Sequence, residues 1–98
     1  MKIRFSRQAE TDIIRSYLYG LTNFGPLQAD QYEASLRATI SLIGDHPQMA
    51  AERVDIDPPV RVHHHGKHLI IYRIEADHIL IIRVLRDEVD LTERLEEG

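Results

Sequence analysis

The stretch VRVHHHGKHLIIYRIEADHILIIRVLRDEVD, residues Val60–Asp90, decides the fold of this 98-residue chain. It contains two strongly apolar runs, His68–Ile74 and His78–Leu85, separated by the short polar link Glu75–Asp77. Apolar runs of this length around a short polar link are typical of a β-hairpin. Both runs also contain arginine, which is rarely buried in a core unless it is paired. The hairpin is therefore predicted to present a surface that something else covers.

The segments before the hairpin predict two strands and two helices. Lys2–Phe5 alternates charged and apolar side chains, as a strand with one buried face does. Ser6 stands at the N-cap of a helix with an apolar stripe, and Gly25-Pro26 separates this helix from a second one. Helices joined by so few residues run antiparallel. Val60–His65 is predicted to be the strand that precedes the hairpin.

The predicted order of elements is β-α-α-β-β-β in a single domain that spans residues 1–98. Two helices cover only one side of a sheet, so we predict an α+β fold with the helical hairpin packed on one face of a small antiparallel sheet. Both faces of the β-hairpin are apolar, which predicts an apolar patch on the opposite face that is larger than monomers usually expose. A partner, a second copy or the chain's own Leu91–Leu95 segment would cover this patch.

Charge is distributed unevenly along the chain. The formal net charge is −4, yet residues 61–86 contain five lysines and arginines against two acidic residues. The hairpin is thus the basic part of an acidic protein, which favours an anionic partner, whereas the overall acidity argues against broad nucleic-acid binding. The chain has no cysteine, no signal-peptide pattern and no apolar run of the ~20 residues that span a membrane. We therefore expect a cytoplasmic protein with no membrane contact.

Few side chains have the spacing that catalysis or metal binding requires. His63, His64 and His65 form a run close to His68, but no cysteine or carboxylate lies nearby in the sequence to complete a tetrahedral site. We predict neither a metal nor a cofactor, and we interpret the histidines as polar surface residues or as ligands for a phosphate or carboxylate. No serine lies in a nucleophile elbow, and the chain has no glycine-rich phosphate loop.

Three arginines of the hairpin are not explained by core packing: Arg73, Arg83 and Arg86. An arginine within an apolar strand needs a partner, because an unpaired buried charge is costly. Two interpretations remain open at this stage. The arginines pair with the acidic residues at positions 87–90, or they present their guanidinium groups to a binding partner.

The order and spacing of these segments resemble the ParE toxins of the RelE/ParE superfamily of toxin–antitoxin modules. The resemblance extends from Ile3 to Leu95 and depends mainly on the segments FGPLQA (24–29), GDHP (44–47), HLIIYRI (68–74) and IRVLR (82–86). It implies the toxin component of a type II module, which inhibits DNA gyrase and is not an enzyme. It also implies a ParD-like ribbon-helix-helix antitoxin that neutralises the toxin, with operator DNA contacted only through that antitoxin.

The resemblance assigns roles to two groups of residues. The gyrase-binding group is predicted to be Arg73, Arg83 and Arg86, and Arg83→Ala or Arg86→Ala is predicted to abolish toxicity with little change in fold. The antitoxin-binding group consists of apolar side chains on the first helix and on the β-hairpin: Ile14, Tyr17, Leu18, Leu69, Ile71, Ile79 and Ile81.

Relatives with the same fold cleave mRNA in the ribosome, so the alternative function is a ribosome-dependent endonuclease of the RelE type. Such enzymes need clustered lysine or arginine and an acid or base, often a tyrosine near the chain end. The segment after the last strand reads Asp87-Glu88-Val89-Asp90, which has no tyrosine, histidine or lysine. The sequence therefore favours gyrase inhibition. Many ParE toxins have a basic motif at this place, so whether toxicity is retained or only antitoxin binding remains is left open.

Overall fold

The computed structural model describes residues 1–87 and 91–97. The elements are β1 (Lys2–Phe5), α1 (Arg7–Phe24), α2 (Pro26–Asp45), β2 (Glu52–Arg53), β3 (Val60–His65), β4 (His68–Ile74), β5 (His78–Arg86) and α3 (Leu91–Glu97). The predicted α+β fold is confirmed, because α1 and α2 form a helical hairpin that packs on one face of a five-stranded sheet.

The sheet has the strand order β1-β5-β4-β3-β2. Strands β3, β4 and β5 pair in antiparallel fashion, as predicted. The two-residue strand β2, which the sequence did not predict, adds to β3 in antiparallel fashion. Strand β1 differs, since it pairs with β5 in parallel, with Lys2 beside His78 and Phe5 beside Ile81. Parallel neighbours need a long crossover, and the chain between β1 and β5 supplies one that includes the helical hairpin. The sheet is therefore mixed, with its one parallel pair at the β1 edge.

The helices begin where the sequence predicts. The Ser6 hydroxyl oxygen accepts the Ala9 N–H at 2.9 Å, which caps α1, and the same hydroxyl donates to the Ile82 carbonyl at 2.6 Å. Ser6 therefore also fixes the start of α1 against β5. Pro26 occupies the first turn of α2, where its missing N–H costs no helical hydrogen bond.

The main core lies between the helical hairpin and the sheet. Its buried members are Ala9, Ile13, Leu36, Ile40, Ile43, Ala50, Ile70, Tyr72, Ile79, Ile81 and Val84. Tyr72 is fully buried, and its hydroxyl donates to the Pro47 carbonyl at 2.7 Å, so its polar end is satisfied.

The chain covers the opposite face of the sheet itself. Ile56 from the loop before β3, together with Leu91 and Leu95 of α3, packs there against Val60, Leu69, Ile71 and Leu85 of the sheet. The prediction of an exposed apolar patch is therefore wrong, and the self-covered alternative is the one observed. Leu69 is 6% exposed and Ile71 is fully buried, so neither forms an open contact surface for an antitoxin.

Ile79 and Ile81 lie on the helix side of the sheet, contrary to their predicted grouping with Leu69 and Ile71. The reason is strand register. Ile74 pairs with Ile79 and Tyr72 pairs with Ile81, and residues directly opposite each other share a face. A register shift follows, since Ile71 pairs with Arg83 and leaves Ile82 as the extra residue of a bulge. Ile79 and Ile81 are fully buried in the main core, which excludes them from an exposed antitoxin site as well.

Candidate functional site

A cleft opens at the end of the sheet where the β3–β4 turn and the end of β5 meet the helical hairpin. Its first part, which we call the apolar groove, has a volume of about 320 Å³ and includes Ile13, Gly20, Phe24, Ala29, Tyr32 and Leu36. The two helices approach closely at Gly20 and Ala29, which both line the groove. A Cβ atom added at Gly20 would lie 3.3 Å from the Cβ of Ala29. Small residues at this point create the groove between α1 and α2.

The second part of the cleft, which we call the basic cleft, is lined by Arg15, Ser16, Tyr19, His68, Arg86 and Arg94 among others. Ser16, Tyr19, His68 and Arg86 also line the apolar groove, so the two parts are continuous. The cleft therefore changes from apolar to cationic along its length.

Arg86 and Tyr19 lie at the junction of the two parts. The Cζ atom of Arg86 is 5.1 Å from the centroid of the Tyr19 ring, a cation–π geometry. The Tyr19 ring in turn meets the Phe24 ring edge to face at a centroid distance of 6.3 Å. Tyr19 and Phe24 are about half exposed, at 50% and 58%. The two aromatic rings of this row are therefore accessible at the surface of the cleft.

Tyr32 and His68 form the inner wall of the cleft. The Tyr32 hydroxyl lies 2.6 Å from His68 Nδ1 and also donates to the His65 carbonyl at 3.1 Å. Burial raises the pKa of the Tyr32 hydroxyl above its usual range. The adjacent turn needs glycine, since Gly66 has φ 55° and a Cβ there would lie 2.9 Å from the Tyr32 hydroxyl. The Tyr32 hydroxyl thus connects α2 to the β3–β4 turn and to β4.

His65 joins β3 to α2 and does not project freely into solvent. Its Nδ1 lies 2.8 Å from the Thr39 hydroxyl, and its Nε2 lies 3.1 Å from the Ser35 hydroxyl. Burial, and secondly the charge of His63, lower the pKa of His65. Among residues 1–87 and 91–97, no three histidine, cysteine or acidic residues are grouped in a way that would hold a metal ion.

Comparison with known proteins gives the family. Residues 3–91 match the family model described as "ParE toxin of type II toxin-antitoxin system, parDE". The chain belongs to the ParE toxin family. The family that the sequence resembled is thereby confirmed.

Individual relatives agree with this assignment. The protein Toxin ParE1 of Caulobacter vibrioides is 32% identical over 87 residues, which cover 89% of this chain and 90% of that toxin. A solved structure titled "Chromosomal ParDE TA system from P. aeruginosa" has a chain that superposes with a TM-score of 0.77. It is 21% identical, and the match covers 90% of this chain and 97% of that one, so it supports the ParE-like fold. Of the helices that the structure describes, none is long and apolar enough to cross a membrane.

Arg83, one of the predicted gyrase-binding residues, is buried and paired within this chain. Its Nε lies 2.8 Å from Asp12 Oδ2, and its Nη2 lies 3.1 Å from Asp12 Oδ1. Asp12 Oδ2 also accepts the Val84 N–H at 3.0 Å. Arg83 is 8% exposed, so the idea that it presents its guanidinium group to a partner is wrong. It joins α1 to β5 instead, through Asp12, and the predicted acidic partners at positions 88 and 90 lie outside the described residues.

The structure does not bring the three predicted arginines together. Arg73 lies beside the β4–β5 link, opposite Leu80, and its Nη2 is 3.2 Å from Glu75 Oε1. Arg86 lies at the other end of β5, opposite His68, and lines the cleft. A gyrase-binding role for Arg73 and Arg86 stays a prediction, and the two would belong to separate surfaces.

Ile14, Tyr17 and Leu18, predicted to bind the antitoxin, lie together with Phe5 on a surface that we call the α1 flank. Ile14 is 59% exposed and Leu18 is 53% exposed. The Tyr17 hydroxyl donates to Asp30 Oδ1 at 2.5 Å, which attaches the flank to α2. These three residues form an accessible apolar surface, and their role in antitoxin binding stays a prediction.

Several cleft residues were not selected from the sequence: Arg15, Tyr19, Phe24, Tyr32, His68 and Arg94. The available signal was the position of Tyr19 and Phe24 outside the apolar stripe of α1, because an aromatic residue off the core stripe is often exposed for a contact. The meeting of α1 with the far end of β5 depends on tertiary packing, and no spacing in the sequence indicates it.

Proposed function

We propose that this chain is a cytoplasmic toxin that blocks DNA gyrase without catalysing a reaction and that a ParD-like antitoxin neutralises it. The observation that carries the proposal is the row of Phe24, Tyr19 and Arg86 along the cleft, in which the two aromatic rings are about half exposed. Aromatic residues and arginine are the side chains most enriched at the energetic centres of protein interfaces. Membership in the ParE toxin family makes a protein target the first expectation for such a surface.

Tyr32 and His68, the two groups of the inner wall that could act as an acid or a base, are held in internal contacts, which supports a role without catalysis. A catalytic acid or base must reach the proton that it transfers. His68 is 9% exposed, and its Nδ1 is occupied by the Tyr32 hydroxyl at 2.6 Å. Both groups therefore serve the packing of α2 against β4 in this structure.

A ribosome-dependent endonuclease is the second candidate, and one observation favours it. Arg15, Arg86 and Arg94 line the same cavity as the half-exposed Tyr19. Clustered arginines stabilise charge that develops on a phosphate during RNA cleavage, and a tyrosine can exchange a proton with the 2′-hydroxyl. Primer extension on mRNA from cells that express the chain separates the candidates, because the enzyme gives codon-dependent cuts and the gyrase inhibitor gives none.

The direct test of the proposal is DNA supercoiling by gyrase in the presence of the purified chain. We expect inhibition, and we expect an added ParD-like ribbon-helix-helix antitoxin to relieve it. We also expect Arg86→Ala to weaken inhibition and Arg53→Ala to leave it unchanged, since Arg53 pairs with Asp55 on the far edge strand β2. Undiminished supercoiling at a large molar excess of the folded chain would overturn the assignment to gyrase.

A further inference from the structure

We propose that Arg4, Leu80 and Arg73 form a second contact surface for the target, on the face of the sheet opposite the helical hairpin. We call this surface the sheet-end patch. It fits an acidic protein surface in which carboxylates flank an apolar side chain. Because the proposal rests on the function proposed above, the protein that carries this acidic surface is gyrase.

Strand register places the three side chains in one row across three adjacent strands. Arg4 of β1 lies opposite Leu80 of β5, and Leu80 lies opposite Arg73 of β4. Neighbours in register share a face, so the two arginines flank the leucine. Ile79 points into the main core beneath the helices, so Leu80, the next residue, points to the opposite face. Two strand spacings separate β1 from β4, so the arginines extend from backbone positions about 10 Å apart.

The chain's own cover of this face does not include the row. Ile56 and α3 pack on the part of the face that contains Ile71 and Leu85, and Leu80 belongs to neither of the two described core clusters. Leu80 and Arg73 are partly exposed, and Arg4 is exposed. The row is therefore accessible, and it combines an apolar side chain with arginine, which is enriched at protein interfaces.

Cations outnumber carboxylates at this end of the sheet. The cations are Lys2, Arg4 and Arg73, and the carboxylates are Glu75 and Asp77 of the β4–β5 link. Glu75 pairs with Arg73 at 3.2 Å, and Asp77 contacts His78 at 2.7 Å. The His78 imidazole, and more weakly the charge of Arg4, hold the pKa of Asp77 below its usual range. Within the described part of the chain neither Lys2 nor Arg4 forms an ion pair, so an acidic partner complements this end.

Stability does not account for the two arginines of the patch. The side chains of Arg73 and Glu75 are 34% and 35% exposed, and ion pairs that solvent reaches in this way contribute only about 0–1 kcal/mol. Arg4 lies on the edge strand β1, where a charge of either sign would prevent edge-to-edge association. The sign of the charge at position 4 therefore distinguishes protection of the edge from recognition of an acidic partner.

The composition of the row favours a protein over a nucleic acid. A phosphate backbone offers no apolar group to Leu80, and the whole chain carries a net charge of −4. An acidic protein surface supplies both carboxylates and apolar side chains, so it matches all three members of the row.

The test measures the Kd of the full chain for immobilised gyrase at several NaCl concentrations, together with inhibition of supercoiling. We expect Arg4→Glu combined with Arg73→Gln to raise Kd about tenfold or more and to reduce its salt dependence. Leu80→Ser should raise Kd with little change in salt dependence, since it removes an uncharged contact. Arg4→Lys keeps the positive charge and should remain close to wild type.

Arg37→Gln is the matched control for the substitution of Arg73. Arg37 pairs with Glu33 at 3.2 Å, the same distance as in the pair of Arg73 with Glu75, but it lies on α2 on the other side of the sheet. This variant should bind and inhibit gyrase as wild type does. Circular dichroism melts check that each variant is folded.

The outcomes separate the sheet-end patch from the proposed function. Gyrase inhibition that Arg4→Glu with Arg73→Gln leaves undiminished would overturn the patch and leave the gyrase assignment intact. If Arg4→Glu binds gyrase as well as Arg4→Lys does, the charge only protects the edge and the proposal is wrong. Weakened binding of a DNA duplex or of a ParD-like antitoxin, with the Kd for DNA-free gyrase unchanged, would assign the patch to that partner and overturn the proposal. A folded wild-type chain that neither binds nor inhibits gyrase contradicts the proposed function and the sheet-end patch together.

Discussion

Arg83→Ala should destabilise the fold of this toxin far more than an ordinary surface substitution would. The side chains of Arg83 and Asp12 are only 10% and 9% exposed, and two hydrogen bonds of 2.8 and 3.1 Å join them. Removal of the arginine leaves the Asp12 carboxylate buried beside the Val84 N–H. Breaking a buried ion pair by removing one partner costs about 3–5 kcal/mol.

This loss is large for a domain of this size. Folded domains are stable by only about 5–15 kcal/mol, and 1 kcal/mol shifts the melting temperature by roughly 4–8 °C for chains of 60–100 residues. A loss of about 3 kcal/mol therefore corresponds to a decrease in Tm of roughly 12–24 °C. Thermal and urea unfolding followed by circular dichroism would measure it. The sequence alone predicted lost toxicity with little change in fold; the structure leads us to expect that toxicity is lost through unfolding.

A double-mutant cycle tests the physical cause. If the pair itself provides the stability, Asp12→Ala with Arg83→Ala should be less destabilised than the sum of the two single variants, because the second change removes a charge already left unpaired. Arg53→Ala is the control, since its pair with Asp55 is exposed and should have little effect on Tm. An Arg83→Ala chain with the same Tm as wild type would refute the reasoning. Additive effects of the two substitutions in the cycle would refute it as well.

Two further predictions concern the β3–β4 turn and its neighbour. Gly66→Ala should destabilise the chain by about 1 kcal/mol or more, because Gly66 has φ 55° and the added Cβ would lie 2.9 Å from the Tyr32 hydroxyl. Urea unfolding measures this loss, and a Gly66→Ala chain with the urea midpoint of wild type would contradict the role assigned to the turn. The lowered pKa of His65 means that its contribution to stability is present above its unfolded pKa, about 6.5, and is lost as the pH falls through the folded value. His65→Gln should therefore flatten the decrease in urea midpoint between pH 7.5 and pH 5, and an unchanged slope would assign that decrease to other groups.

The sequence predicted the elements of this fold because each depends on local chemistry. Ser6 supplies a hydroxyl at the right place for a cap, and Gly25-Pro26 can end one helix and begin another. The two apolar runs joined by Glu75–Asp77 had few alternatives to a hairpin. The helical hairpin and the order of the last three strands follow from these signals.

The faces of the sheet could not be predicted in the same way. The link between the apolar runs did not fix whether Ile74 pairs with Ile79 or with a neighbour, and a shift of one residue moves a whole set of side chains to the other face. The bulge at Ile82 also interrupts the alternation of side chains within β5, so the residues after it do not continue the pattern of the residues before it. The wrong placement of Ile79 and Ile81 in an exposed patch follows from this ambiguity.

The partner of Arg83 was also beyond prediction, since Asp12 lies 71 residues away in the sequence. Asp12 occupies the polar side of α1, where a solvated carboxylate is the ordinary interpretation. Only the placement of α1 along β5, which Ser6 and the parallel β1–β5 pairing establish, brings the carboxylate to the edge of the strand.

Arg83 and Arg86 are three residues apart on one strand, yet the structure gives them different roles. Arg83 pairs with α1 near the start of that helix, and its loss should reduce folding and every function that depends on the fold. Arg86 lies over Tyr19 at the open cleft, so its loss should reduce partner binding in a chain that remains folded. Because the same proteins can be assayed for melting, supercoiling and antitoxin affinity, the two variants separate stability from recognition. Arg86→Ala should then weaken the inhibition of gyrase while its Tm stays near that of wild type.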